Sequence, residues 1–358
     1  MSALQRFTKG LSEVKADGAI ISSQLNIRYL CGFDYTDGYL VIFPDAAYLL
    51  ADFRYIEAAR AKVREFEIIM PEDTMLSEIR SLLSMHGAKT VLIEDGSVTL
   101  SDFSKMREKF GGDVTLTTGA TEILSEQREI KTESELRAIA RAQAVTDAAF
   151  EHVLGFITTE RTEREVALEI EFFMRSHGAE GVAFDTIAVS GRSSSLPHGI
   201  PSDKKLSKGF LTMDFGARVD GYCSDMTRTV IIGKADGEMK KIYGTVLSAQ
   251  KAALDAICEG ISCREADKKA RDVIAAAGYG ECFGHSLGHG VGLYIHEKPS
   301  LSPKAKESSV LRRGNVVTVE PGIYVAGKYG CRIEDMIAIG HDGKVIDFTK
   351  SPKELIEI

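Results

Sequence analysis

Apolar positions recur along the chain with two different periods, and the change of period divides it. Up to about residue 125, short apolar runs alternate with amphipathic stretches. The runs Ala19–Ser22, Tyr39–Phe43, Ala47–Ala51, Phe66–Met70, Val91–Glu94 and Val114–Thr117 predict strands, and Tyr55–Val63, Leu76–Met85 and Leu100–Phe110 predict helices. That order implies a small α/β domain. His86 beside Gly87 reads as a residue at a helix end, solvated or capping, with no chemistry attached. A boundary follows at Arg128-Glu129-Ile130-Lys131, giving domains 1–128 and 129–358.

The second domain opens on Thr132-Glu133-Ser134-Glu135, a capping box in which hydroxyl and carboxylate satisfy free N–H groups of a helix start. Thr162 with Glu165 and Ser262 with Glu265 repeat the device. Helices are expected over 133–156, 163–177, 237–257 and 264–277, alternating with hairpin-like segments. The fold class is therefore α+β, with helices covering an antiparallel sheet.

Composition narrows the function. The 358 residues are 44% hydrophobic and 27% charged, with a net charge of −8 and no Lys/Arg run, which argues against a nucleic-acid partner. No apolar run approaches the ~20 residues that span a bilayer. The polar N-terminus lacks the apolar core of a secretory leader, so the expected location is the cytoplasm. The six cysteines form no C-x-x-C pair and read as reduced thiols rather than zinc ligands or disulfides.

Candidate chemistry lies in the second domain. Phe210–Val219 and Tyr222–Ile232 flank Asp220-Gly221, a strong hairpin sequence. Counting back from Val219 opposite Tyr222 places Asp214 opposite Thr227 and Asp225 on the same face, diagonally placed. Asp is depleted in strands, so two on one face need a reason; the bland alternative is a solvated pair near a turn. Gly284–Gly292 is glycine-rich, and His285, His289 and His296 fall within twelve residues. The glycines argue against a regular helix and permit close backbone approach. Glu320 ends the apolar strand from Asn315, and Glu334 lies within a strand from Gly330 to Ile339, sharing a face with Arg332. An Arg332–Glu334 ion pair is the alternative there, but one arginine cannot balance four acids. Four carboxylates and one imidazole are mostly hard oxygen ligands. They suit two divalent ions, manganese, cobalt or iron(II), with zinc also open, which together would activate a hydroxide for attack on a carbonyl.

MDFGARVDGYCSDMTRT, HSLGHGVGLYIHEKP, VVTVEPGIY and RIED, with NIRYLCGF and ADFRY in the first domain, resemble the M24-type "pita-bread" metallopeptidases. The likeness is to their proline-directed branch, aminopeptidase P and Xaa-Pro dipeptidase (prolidase), and it covers most of the chain. It implies a pita-bread catalytic domain behind a creatinase-like α/β domain, a homodimer, and two metal ions, manganese foremost. It further implies that Asp214 holds one ion, Asp225 and Glu334 bridge both, and His289 and Glu320 complete the second, with Glu320 also shuttling a proton. His198 would contact a substrate carbonyl. His285 and His296 would line the proline side and stabilise the tetrahedral intermediate, and Arg332 would hold Glu334. The implied substrate is a peptide with proline at its second position. Some dipeptidases carry an Arg shortly after HExP; here Ser300 follows HEKP, which points to longer Xaa-Pro peptides rather than dipeptides alone. Methionine aminopeptidase shares the ligands but not HExP, creatinase lacks the ligands, and a noncatalytic binding protein has no need of the full set.

Overall fold

The computed structural model describes residues 1–34 and 37–358, which form two compact units, Met1–Arg128 and Glu129–Ile358. In the first unit all six predicted strands form, joined in one mixed sheet. Glu67–Ile69, Ala47–Leu50, Tyr39–Ile42, Gly18–Ile21, Thr90–Ile93 and Thr115–Thr117 follow one another across it. The central strand Gly18–Ile21 is buried along its whole length because both sheet faces are covered. Ala19 and Ile21 pack with Leu4, Phe7 and Leu11 on one face. Ile20 packs with Ile79, Leu82 and Met106 on the other. The three predicted helices are present, joined by Ala3–Glu13, Gln24–Cys31 and Ala120–Glu129, which the periodicity did not single out. His86 caps the helix Met75–Met85, stacked on Phe43 with ring centroids 4.0 Å apart.

In the second unit the helices Glu133–Leu154, Glu163–Ser176, Gly237–Ala256 and Cys263–Ala276 match the four expected. Capping boxes close the first two; Ser262 caps the fourth by accepting from the Glu265 N–H. Every strand pair in this unit is antiparallel. One helix pair buries Phe150, Val166 and Ile170 against Leu211, Met213 and Phe215. The other buries Val246, Ala270 and Ile274 with Val317, Val319 and Ile337.

The hairpin has the counted register: Val219 faces Tyr222 and Asp214 faces Thr227. Each long strand is nevertheless cut in two, Gly209–Phe215 from Ala217–Val219 and Tyr222–Cys223 from Met226–Ile232. The cut is built into Gly216, where a Cβ would collide with the Ser224 carbonyl oxygen. Ser224 Oγ and Thr146 Oγ1 then take up the Ala217 N–H, so the ladder is interrupted without losing step. The predicted strand from Gly330 to Ile339 is likewise interrupted. It forms Tyr329–Arg332 and Asp335–Ile339 in different sheets, with Glu334 between them. Interruptions at Asp225 and Glu334 let acidic side chains turn inward where a continuous strand would alternate them across the sheet.

At the hairpin tip Asp220 and Gly221 both have positive φ, 51° and 80°, as a tight primed turn requires. Gly221→Ala should cost about 1 kcal/mol through this left-handed backbone. Thermal unfolding should then fall by roughly 2–4 °C, and an unchanged melting temperature would contradict the turn geometry.

Candidate metal centre

Five polar side chains converge from five local devices. Asp214 lies in the strand Gly209–Phe215, and Asp225 in the break before Met226. Glu334 sits in the second break, its N–H donating to the Thr227 carbonyl at 3.1 Å. Glu320 ends the strand Val316–Val319 and donates its N–H to Leu287 O at 2.8 Å. His289 occupies the short strand Gly288–Gly290, where a Cβ on either glycine would collide with a neighbouring carbonyl.

Carboxylate oxygens of Asp214, Asp225 and Glu334 lie within 4.8 Å of one another. His289 Nε2 is 3.5 Å from Asp225 Oδ2 and 3.4 Å from Glu320 Oε1, so Asp225 belongs to the acid triplet and also faces His289, which in turn faces Glu320. All five line one cavity of about 620 Å³, together with His198, His285, His296 and Arg332. The structure thus brings every site residue expected from the sequence to one place. Phe184, Ile187, Ile200 and Ile295 supply apolar wall.

The supporting contacts differ from expectation at Arg332. Its guanidinium donates to Asp214 Oδ2 at 2.6 Å and to the Tyr324 hydroxyl at 2.6 Å, rather than to Glu334. It reaches Glu334 only through Thr227, whose Oγ1 accepts from Arg332 Nε at 2.9 Å and donates to Glu334 Oε2 at 2.7 Å. The strand break between Arg332 and Glu334 removes the shared face that the sequence suggested. Tyr324 and Thr227 were given no role in the sequence reading; Tyr324 stands within VEPGIY, and Thr227 entered only as a register partner. Thr318 was also missed. Two residues before Glu320, its Oγ1 donates to Glu320 Oε1 at 3.0 Å and accepts the His289 N–H.

Behind the acids, Arg228 is almost completely buried. It donates to the carbonyls of Thr227, Glu334, Ser351 and Pro352 and to Asp335 Oδ1, so one guanidinium ties the segments bearing Asp225 and Glu334 to the C-terminal segment.

Hydrogen bonding assigns the imidazoles. His289 Nδ1–H donates to Gly290 O at 3.1 Å, leaving the Nε2 lone pair facing the acids. His285 Nδ1–H donates to Ser286 O at 2.8 Å, and its Nε2 accepts from Tyr324 at 3.0 Å. Both His285 nitrogens are therefore engaged, and what it presents to the cavity is its ring rather than a free N–H. Burial holds His285 neutral, with its pKa down at about 4, and lowers His289 and His296 as well.

The acids are in the opposite situation. Burial, and then repulsion from Asp214 and Glu320, pushes Asp225 far above its ordinary value. Burial and Asp225 do the same to Glu334, and burial lifts Glu320 to about 8. Four carboxylates face one guanidinium, and Asp214 Oδ1 is buried with no hydrogen-bond partner. An oxygen-rich, electron-rich cluster with an orphaned carboxylate oxygen and an outward-facing imidazole lone pair fits divalent cations.

Residues 137–341 match metallopeptidase family M24, and residues 4–130 match the creatinase/prolidase N-terminal domain. The chain belongs to metallopeptidase family M24. It is 37% identical to a Xaa-Pro dipeptidase of Pyrococcus horikoshii, over 95% of this chain and 94% of that one. Among solved structures it resembles a Xaa-Pro dipeptidase from Bacillus anthracis at 40% identity, covering 99% of each chain with a TM-score of 0.95. It also resembles an X-Pro aminopeptidase from Thermotoga maritima at 34% identity, covering 98% and 100%, with a TM-score of 0.90. The fold is accordingly a pita-bread catalytic domain with a creatinase N-terminal domain, and the protein is a hydrolase whose family depends on divalent metal.

The raised acids set a stability test. A carboxyl whose folded pKa lies above its unfolded value holds its proton longer in the folded state, so stability falls as pH climbs between the two values. Glu320, up to about 8, should therefore make metal-stripped protein less stable at pH 8.5 than at pH 7. Lowered histidines act the other way, but only below about pH 7. Adding a divalent cation should restore the melting temperature at pH 8.5 by at least about 4 °C. Stripped protein that melts alike at both pH values, with no response to metal, would contradict the charge imbalance.

Proposed function

We propose that this chain hydrolyses the bond preceding a proline at the second position of a peptide, with two divalent ions held by Asp214, Asp225, His289, Glu320 and Glu334. The carrying observation is the convergence of these five side chains in one partly apolar cavity. The names of the similar proteins, Xaa-Pro dipeptidase and X-Pro aminopeptidase, support the proline specificity. Manganese is the proposed ion, because the donor set is four carboxylates and one imidazole. The same reading takes residues 1–128 as the N-terminal domain, 129–358 as the catalytic domain, and the protein as a cytoplasmic homodimer; six free cysteines agree with a reducing compartment.

In this reading Asp225 and Glu334 would be shared between the two ions, Asp214 would complete one set of ligands, and His289 with Glu320 would complete the other. The position of Asp225, beside both groups, supports the bridging role. Divalent ions there would acidify a water and polarise the scissile carbonyl. Arg332 fixes Asp214 in its rotamer. Glu320, with Oε1 held by Thr318, carries the proton on its other oxygen toward the leaving nitrogen. His198, exposed at the cavity rim, donates to a substrate carbonyl. His296 donates to the developing oxyanion, while the His285 ring, with Ile187, Phe184 and Ile295, forms the wall against which the proline ring packs. A prolyl bond is a tertiary amide with no N–H to recognise, so an apolar wall suits it.

Dipeptidase activity is the second reading, and the names of the relatives favour it. Charge favours longer peptides: among the described residues lining the cavity, Arg332 is the only Lys or Arg, and it is engaged with Asp214 and Tyr324. A free proline carboxylate would go unpaired there. Xaa-Pro-Xaa should therefore exceed Xaa-Pro in kcat/KM by about tenfold, the equivalent of roughly 1.4 kcal/mol. A preference for the dipeptide would overturn this assignment. Asp225→Asn with Glu334→Gln should lower kcat by on the order of a thousandfold, equivalent to several kcal/mol, with the circular dichroism spectrum retained. Undiminished hydrolysis would refute the metal mechanism.

A further inference from the structure

We propose that Lys131 and Glu297 form a positioning pair that sets the placement of His296. Lysine is almost never fully buried unless paired. Here the side chains of Lys131 and Glu297 are only 1% and 3% exposed, with Lys131 Nζ 3.1 Å from Glu297 Oε2. Neither residue lines the cavity.

Lys131 is a fixed anchor. Its N–H donates to Gly314 O at 2.8 Å, and its carbonyl accepts from His341 Nε2 at 2.9 Å. It immediately precedes Thr132, the cap of the helix Glu133–Leu154. Glu297 is the other end of the clamp. Its Oε1 accepts the Tyr294 N–H at 3.2 Å, and its carboxylate lies flat against Gly292, where a Cβ would come within 2.8 Å of Glu297 Cδ. The Gly292 carbonyl in turn accepts from Cys223 N–H at 2.8 Å, and the Gly292 N–H donates to Tyr294 O at 3.1 Å. Residues 292–297 are thus wrapped around one carboxylate, and His296 stands at the end of that wrap.

The His296 ring has no device of its own. Its contacts are edge-on to His289, with centroids 4.5 Å apart, and to Tyr294 at 6.3 Å. Among the described residues no hydrogen bond from the protein orients its imidazole. The placement of its ring therefore depends on these two ring contacts and on the backbone that Glu297 and the buried ammonium hold.

The inference rests on the donor role given to His296 above, and the experiment separates the two. Removing one member of a buried pair strands a charge and is strongly destabilising, whereas replacing both with neutral groups of similar size is often tolerated. The test is therefore Lys131→Met with Glu297→Gln, alone and combined with His296→Ala, in manganese-loaded protein of measured metal content acting on an Xaa-Pro-Xaa peptide. The paired replacement should keep its metal and lower kcat about tenfold while KM moves less than about twofold. In the His296→Ala background it should lower kcat less than about twofold further, because the two act as one unit. If the paired protein does not fold, Gly292→Ala crowds the carboxylate without removing a charge and is judged by the same criteria. Unchanged kcat in the pair variant, or effects that multiply with His296→Ala, would overturn the inference while leaving the role of His296 intact. Unchanged kcat in His296→Ala alone would overturn that role and the inference with it.

Discussion

Mutual repulsion among buried acids is the constraint on which the catalytic unit depends. Asp214, Asp225, Glu320 and Glu334 face a single lining guanidinium, that of Arg332, with Asp225 and Glu334 buried and Asp214 and Glu320 partly so. Such a cluster is stable only when it takes up protons or cations. The surrounding structure keeps the acids close instead of letting them relax apart. Thr227 and Thr318 pin individual oxygens, Arg332 pins Asp214, and Arg228 fixes the backbone that carries Glu334. The arrangement is a preformed cradle for positive charge.

Interrupted strands are the means by which the cradle is made. A regular strand alternates its side chains and cannot place Asp225 or Glu334 deep in the same recess as Asp214 without a local change. Gly216 and Ser224 provide one change, and the passage from Arg332 through Ile333 provides the other. Glycines at 288 and 290 provide a third by letting two strands approach closely around His289. Strands carry Asp214 and His289, while Asp225, Glu320 and Glu334 stand in short irregular segments at strand ends, so the flanking strands hold the constellation and the irregular backbone aims it.

Much of this was legible in the sequence because it depends on local rules. The capping boxes at Thr132 and Thr162, the Asp220-Gly221 turn and the two-residue period of the hairpin fix register and element order. The five acid and imidazole positions were legible through donor chemistry and motif resemblance together. What was not legible depends on contacts far apart in the chain. Arg332 and Glu334 are two residues apart, yet Arg332 turns to Asp214 and Tyr324 because the strand breaks between them. His285 is committed to Tyr324, a pairing across 39 positions that no periodicity announces. Lys131 looks in sequence like an ordinary solvated residue before a helix; only the fold reveals Glu297 waiting for it.

The central claim is that the acid cluster is a two-ion centre. Calorimetric titration of metal-stripped protein with Mn²⁺ at pH 7.5 tests it most directly. The account predicts two equivalents bound per chain, with proton release as Glu320 and its neighbours ionise, and loss of that binding in the Asp225→Asn, Glu334→Gln protein. Absence of binding by the native chain, or binding that survives in the doubly substituted one, would contradict it.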